Sequence, residues 1–86
     1  MSRIVKGTGW RPLSHVVKTE DGKLYLVDSN NTFDYGYETM VFEWEDDEVS
    51  SWLGEYRENY SSETAMRERH FEICEMLEEV LKGEKQ

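Results

Sequence analysis

The chain has 86 residues, with 19 Asp/Glu against 10 Lys/Arg and a formal net charge of −9. That length makes one small domain with a thin core, and aromatic residues, 13% of the chain, must supply much of it. Such acidity excludes direct binding to DNA, RNA or an anionic membrane surface, which need a basic footprint, and leaves a cationic protein as the expected partner.

In chain order, residues 1–12 read as a flexible basic segment ending in "GWRP", where Pro12 pushes Arg11 into an extended conformation. "LSHVVKTE" and "KLYLVDS" flank Asp21-Gly22, a strong two-residue hairpin signal. They predict antiparallel strands at about 13–20 and 23–29. "NNTFDYGY", residues 30–37, reads as a polar and aromatic loop with Gly36 at a turn. In "ETMVFEWE", a third strand, Met40, Phe42 and Trp44 alternate with Thr39, Val41 and Glu43, and the first set is the expected core face. Residues 46–60 read as a loop or short helical turn. From Ser62 to Lys82 the spacing predicts one helix, with Ser61 as N-cap and Gly83 just past its end. Met66, His70, Ile73, Leu77 and Val80 form its apolar stripe, with Cys74 and Leu81 beside it. The expected architecture is α+β: a three-stranded antiparallel β-meander (13–45) packed against a long C-terminal amphipathic helix (61–83), in a single domain over 1–86. The single Cys74 and the lack of a signal-like or membrane-length apolar stretch make the cytoplasm the expected compartment.

Few constellations carry chemistry. His70 and Cys74, four residues apart on a helix, share a face and, with His15, invite a zinc reading; the same pair also fits the core stripe, and too few ligands complete a tetrahedral site. No metal and no cofactor are expected. "KGTGWRP" lacks the spacing of a phosphate-binding loop. Asp28, Asn30, Thr32, Asp34 and Glu38 loosely resemble a calcium loop, but Phe33 stands where the sixth-position glycine belongs. The abundant carboxylates lack the apolar cleft that acid–base catalysis needs, so an enzyme is not expected.

Two surfaces stand out. Phe71 lies about 140° from the centre of the apolar stripe, among Arg67, Glu68, Glu75 and Glu78, either exposed for a partner or covered by residues 46–60. "EWEDDE" is the other: Glu43, Glu45, Asp46, Asp47 and Glu48 are either a solvated turn that discourages edge pairing or a carboxylate array imitating nucleic-acid phosphates. Residues 38–86 hold fifteen Asp/Glu and five Lys/Arg, so Glu68, Glu72, Glu75 and other acids could extend the array along the helix.

"YGYETMVFEWE", then "SWLGEYRENY" and "SSETAMRERHFEICEML", resembles small proteins of phages and prophages of Gram-positive bacteria, which pair an "ETMVF"-like strand with a "Y-S-x-E-x-A-x-x-x-x-H" helix start. The matching residues are Glu38 to Phe42, Tyr60, Ser61, Glu63, Ala65 and His70, in the second half of the chain. The resemblance implies a cytoplasmic protein made during infection or from a prophage and carries over no site residue. With the acidity it yields the expected function: a non-enzymatic acidic module that inhibits a host nucleic-acid-handling or defence protein, such as a CRISPR nuclease, by nucleic-acid mimicry. The expected contacts are Glu43, Glu45, Asp46, Asp47, Glu48, Glu68, Phe71, Glu72 and Glu75, on a monomer or homodimer. The alternative is a phage accessory protein that assembles through Phe71 and the aromatic loop 30–37.

Overall fold

The computed structural model describes residues 1–85, with side chains through residue 83; Gln86 lies outside the described residues. The fold is α+β. Five strands, β1 (Arg3–Gly7), β2 (Ser14–Lys18), β3 (Leu24–Thr32), β4 (Gly36–Glu45) and β5 (Glu48–Tyr60), form one antiparallel meander in chain order. Helices α1 (Glu63–Glu75) and α2 (Leu77–Lys85) cover one face.

Three expectations need correction here. Residues 3–7 are not a free segment: they form edge strand β1, paired with β2 from Arg3↔Lys18 to Gly7↔His15. Every residue of β1 is exposed, so the strand carries no alternating pattern to betray it. Residues 48–60 are a strand as well, not a loop or helical turn. Its alternation is broken because the register shifts between Val41 and Trp44, leaving Trp52 to Glu55 as a bulge opposite β4. The loop expected over 30–37 shrinks to a tip at Phe33, Asp34 and Tyr35, since Thr32 pairs with Gly36.

The long helix is two helices. Ser62, not Ser61, is the N-cap: its Oγ accepts the amide proton of Ala65 at 3.1 Å. Met76 leaves helical geometry at φ −119°, ψ 31°. Ser2 is inserted at this break. Its hydroxyl donates to the Cys74 carbonyl at 2.7 Å and accepts from the Leu77 amide at 2.9 Å, satisfying groups that two helix ends would otherwise orphan. Gly83 therefore lies inside α2 rather than beyond a helix end.

The sheet is apolar on both faces, which explains the unbroken run "LYLV" in β3. The helix-side layer joins Val17, Tyr25, Val27 and Val41 to Ile73, Cys74 and Leu77. The opposite layer joins Val16, Leu26 and Trp44 to Leu24, Phe42 and Val49. Phe42 and Trp44 thus face away from the helices, contrary to the expected core face. The register sets Val41 beside Val27 and Phe42 beside Leu26, so Met40, Phe42 and Trp44 share the far side. Flat β-branched valines let a helix approach closely, while the bulky rings fill the other face.

The hairpin tips also differ from expectation. At Asp21-Gly22 only Gly22 has positive φ, +88°. The turn is wider than two residues: the Gly22 amide donates to the Thr19 carbonyl and the Thr19 amide to the Lys23 carbonyl. The two-residue turn belongs instead to "EWEDDE". Glu45 pairs with Glu48, and Asp46 and Asp47 have φ of 54° and 63°. Both central residues are left-handed, the type I′ arrangement that favours Asn-Gly. Replacing Asp47 with glycine should relieve that conformation and raise stability by roughly 0.5–1 kcal/mol. A urea midpoint that stays put or falls would show that the two aspartates sit there without strain.

Candidate functional site

Two constellations emerge, one on each face of the sheet. At its tip the β4–β5 hairpin presents Glu45, Asp46, Asp47 and Glu48, all exposed, and Asp47 reaches the face away from the helices. The Asp47 carboxylate accepts a charged hydrogen bond from Lys6 Nζ, although 41 positions separate them. The same ammonium lies 5.6 Å from the centroid of the Trp44 ring. Trp10 packs on Trp44 with ring centroids 5.9 Å apart. Trp44 is buried, whereas Trp10 is 52% exposed. Further along, Trp52 stands edge-on to Phe42 at 5.2 Å and is 69% exposed. Asp47 and the indoles of Trp10 and Trp44 therefore share one surface.

The expected contact residues do not form one array. Asp47 meets Lys6 over Trp44 on the face opposite the helices, whereas Glu68, Phe71, Glu72 and Glu75 are exposed on α1. The sheet separates the two groups. Glu43 is half-buried and pairs with Tyr25 and Ser51, so it adds little to the hairpin tip. Glu72 is partly neutralised: Arg69 donates to it at 2.7 Å and to Glu58 at 2.8 Å. Of the two alternatives for Phe71, the exposed one holds: the residue is 42% exposed. Residues 48–60 lie at the opposite edge of the sheet from β2, and the ring packs on His15 at 5.7 Å and on His70 at 5.1 Å.

Beneath α1 runs the second constellation, a chain of hydrogen bonds across four strands' worth of structure. His15 Nδ1 lies 2.8 Å from His70 Nε2, and His70 Nδ1 lies 2.6 Å from Ser29 Oγ. Ser29 Oγ lies 2.5 Å from Thr39 Oγ1, which accepts the Tyr60 hydroxyl at 3.0 Å. His70 and Thr39 have no exposed surface. All links are satisfied when each group passes its proton the same way, from Tyr60 through Thr39, Ser29 and His70 to His15. That order needs both imidazoles neutral. Burial, reinforced by His15, pushes the His70 pKa down to about 4, and burial lowers His15 as well. At the far end, burial raises the Tyr60 hydroxyl. Burial also works to raise Glu58, but hydrogen bonds from Arg69 and Tyr56 outweigh it and hold that carboxyl below its usual range.

His70 and Cys74 do not act as a pair. His70 bonds to His15 and Ser29, while Cys74 joins the apolar cluster, where burial pushes its thiol up to about 12 and keeps it protonated. The loosely calcium-like segment is strand β3 and a hairpin tip, and Asp28 is gripped by Arg11 through Nε and Nη2, each at 3.0 Å. No group of three or more His, Cys, Asp or Glu among the described residues could hold a metal ion. No helix among them is long and apolar enough to cross a membrane.

Sequence reasoning passed over Lys6 and Trp10, which looked like parts of a flexible terminus. It also passed over Ser29 and Thr39, although polar residues inside apolar strands are a signal that buried partners await them. No protein-family model, no curated protein and no solved structure matches the chain.

Proposed function

We propose that this protein is a non-enzymatic binding module whose acidic hairpin engages a basic surface of a partner protein. The favoured partner is a host nucleic-acid-handling or defence protein, whose cationic groove the carboxylates would occupy in place of phosphates. In this reading the protein is phage-encoded and acts as an inhibitor. One observation carries the reading: Glu45, Asp46, Asp47 and Glu48 project together from a type I′ tip, and Lys6 is the one cation paired with any of them among the described residues. Self-repulsion and left-handed backbone both disfavour two aspartates at that tip. Retaining them is consistent with selection for charge at that place.

The test replaces Glu45 and Glu48 with lysine and Asp46 and Asp47 with asparagine, which tolerates positive φ. A panel of basic nucleases is titrated with parent and variant at two salt concentrations. Parent binding should weaken as salt screens the attraction over about 8–10 Å, and nucleic acid should compete. The variant should bind at least about 100-fold more weakly, with a melting temperature no lower than the parent's. Equal binding of parent and variant at low salt would reduce the hairpin to a solvated turn. A second reading, assembly through aromatic surface, rests on Phe33, whose ring at the β3–β4 tip is fully exposed. Concentration-dependent, salt-insensitive dimers that Phe33→Ser abolishes would favour it.

A further inference from the structure

The ammonium of Lys6 is held between an indole face and a carboxylate: over Trp44 on one side and against Asp47 on the other. The walls are completed by Gly7, Thr8 and Trp10, enclosing a cleft of about 140 Å³. An indole face attracts a cation through its quadrupole, and a carboxylate attracts it by charge. The cleft therefore has the chemistry of a receptor for a primary ammonium.

Lys6 is loosely held there. It belongs to edge strand β1, and its side chain is 46% exposed while that of Asp47 is 76% exposed. Exposed ion pairs contribute little to stability, so exchange of one ammonium for another is nearly neutral. An incoming cation finds more charge than Lys6 neutralises. On the same hairpin tip, Glu45, Asp46 and Glu48 have no cation in ion-pair range among the described residues. Trp10 still offers an open indole face. A compact ammonium fits one carboxylate and one ring better than a guanidinium fork, which matches two carboxylate oxygens in plane.

We propose that the cleft between Trp10, Trp44 and Asp47 is a lysine-binding site, and that Lys6 is a resident occupant replaced by a lysine of a basic partner segment. This rests on the reading of the acidic hairpin as a binding surface and identifies the side chain that anchors there. Lys6 then acts as a competitor built into the chain. Its removal opens the site.

The probe is acetyl-tetralysine amide at low salt, followed through the indole N–H signals of the three tryptophans. Lys6→Ala should bind it about three- to tenfold more tightly than the parent, as expected when one exposed ion pair and one cation–π contact cease to compete. The Trp10 and Trp44 signals should move. Arg3→Ala removes the same charge from the same strand but not from the cleft, so its affinity should change by less than about twofold. Adding Trp10→Ala to Lys6→Ala should cancel the gain. Equal gains from Arg3→Ala and Lys6→Ala, or no gain from Lys6→Ala, would overturn the cleft as a site; salt-sensitive binding lost in the hairpin variant would still support the hairpin. If the hairpin variant binds tetralysine as well as the parent, both readings fail.

Discussion

Replacing Ile73 with alanine should lower stability by about 2–5 kcal/mol, the range for truncating a fully buried aliphatic side chain. Ile73 has no exposed surface and packs among Val17, Val27, Val41, Cys74 and Leu77. Its cavity cannot collapse easily. The valines stand on a hydrogen-bonded sheet, and α1 is held from both ends by Ser62 and Ser2. Small domains have total stabilities of only about 5–15 kcal/mol, so this single change removes a large share and could leave the chain unfolded at 37 °C. Leu53→Ala is the control: Leu53 is 80% exposed, and its loss should shift stability by less than about 0.5 kcal/mol. Urea unfolding followed by tryptophan fluorescence reads both. Coincident midpoints for Ile73→Ala and the parent would mean that the helices do not dock through this stripe.

Mild acid should destabilise the protein by about 3 kcal/mol through His70 alone. Its folded pKa is about 4, against 6.5 for an ordinary histidine, and each pKa unit corresponds to about 1.4 kcal/mol. The sign follows from which state takes up the proton. Between pH 6.5 and 4 the unfolded chain protonates its imidazole while the folded chain does not, so falling pH favours unfolding. The contribution is present in full above pH 6.5 and is lost progressively down to about pH 4. His15, lowered by burial, acts in the same direction. Approach to the isoelectric point, about 4.6, works against both by relieving repulsion among carboxylates. Comparison with His70→Gln separates the effects, since glutamine has nothing to titrate. That variant should be weaker at pH 7.5, because one amide cannot serve both His15 and Ser29. It should also lose most of the decline between pH 6.5 and 4.5. Parallel pH profiles for parent and variant would show that the proton goes elsewhere.

Part of this architecture is legible in local pattern. The stripe Met66, His70, Ile73 and Leu77 is buried as helical spacing requires, and the segments at β2, β3 and β4 are strands. Where pattern is silent, the elements escape. β1 has every residue exposed, and β5 loses alternation at its bulge. The acidic turn was legible as charge but not as shape. Asp-Gly looked like the tight hairpin, yet the type I′ tip fell on Asp46-Asp47, because the register of β4 and β5 sets that geometry and not dipeptide preference.

Residue order alone sets the class of fold, the apolar face of the helical segment and the concentration of negative charge in the second half. These depend on residue type and on spacings of two to four, which act within one element. Tertiary structure alone decided which side of β4 meets the helices, since both sides are apolar and only pairing with β3 breaks the tie. It alone placed Ser2 in the helix break 75 positions away, brought His15 to His70 across 55, and laid Lys6 between Trp44 and Asp47. Such meetings are set by how the strands pair and the sheet curls, and that is fixed by the sum of all contacts and by no single local signal.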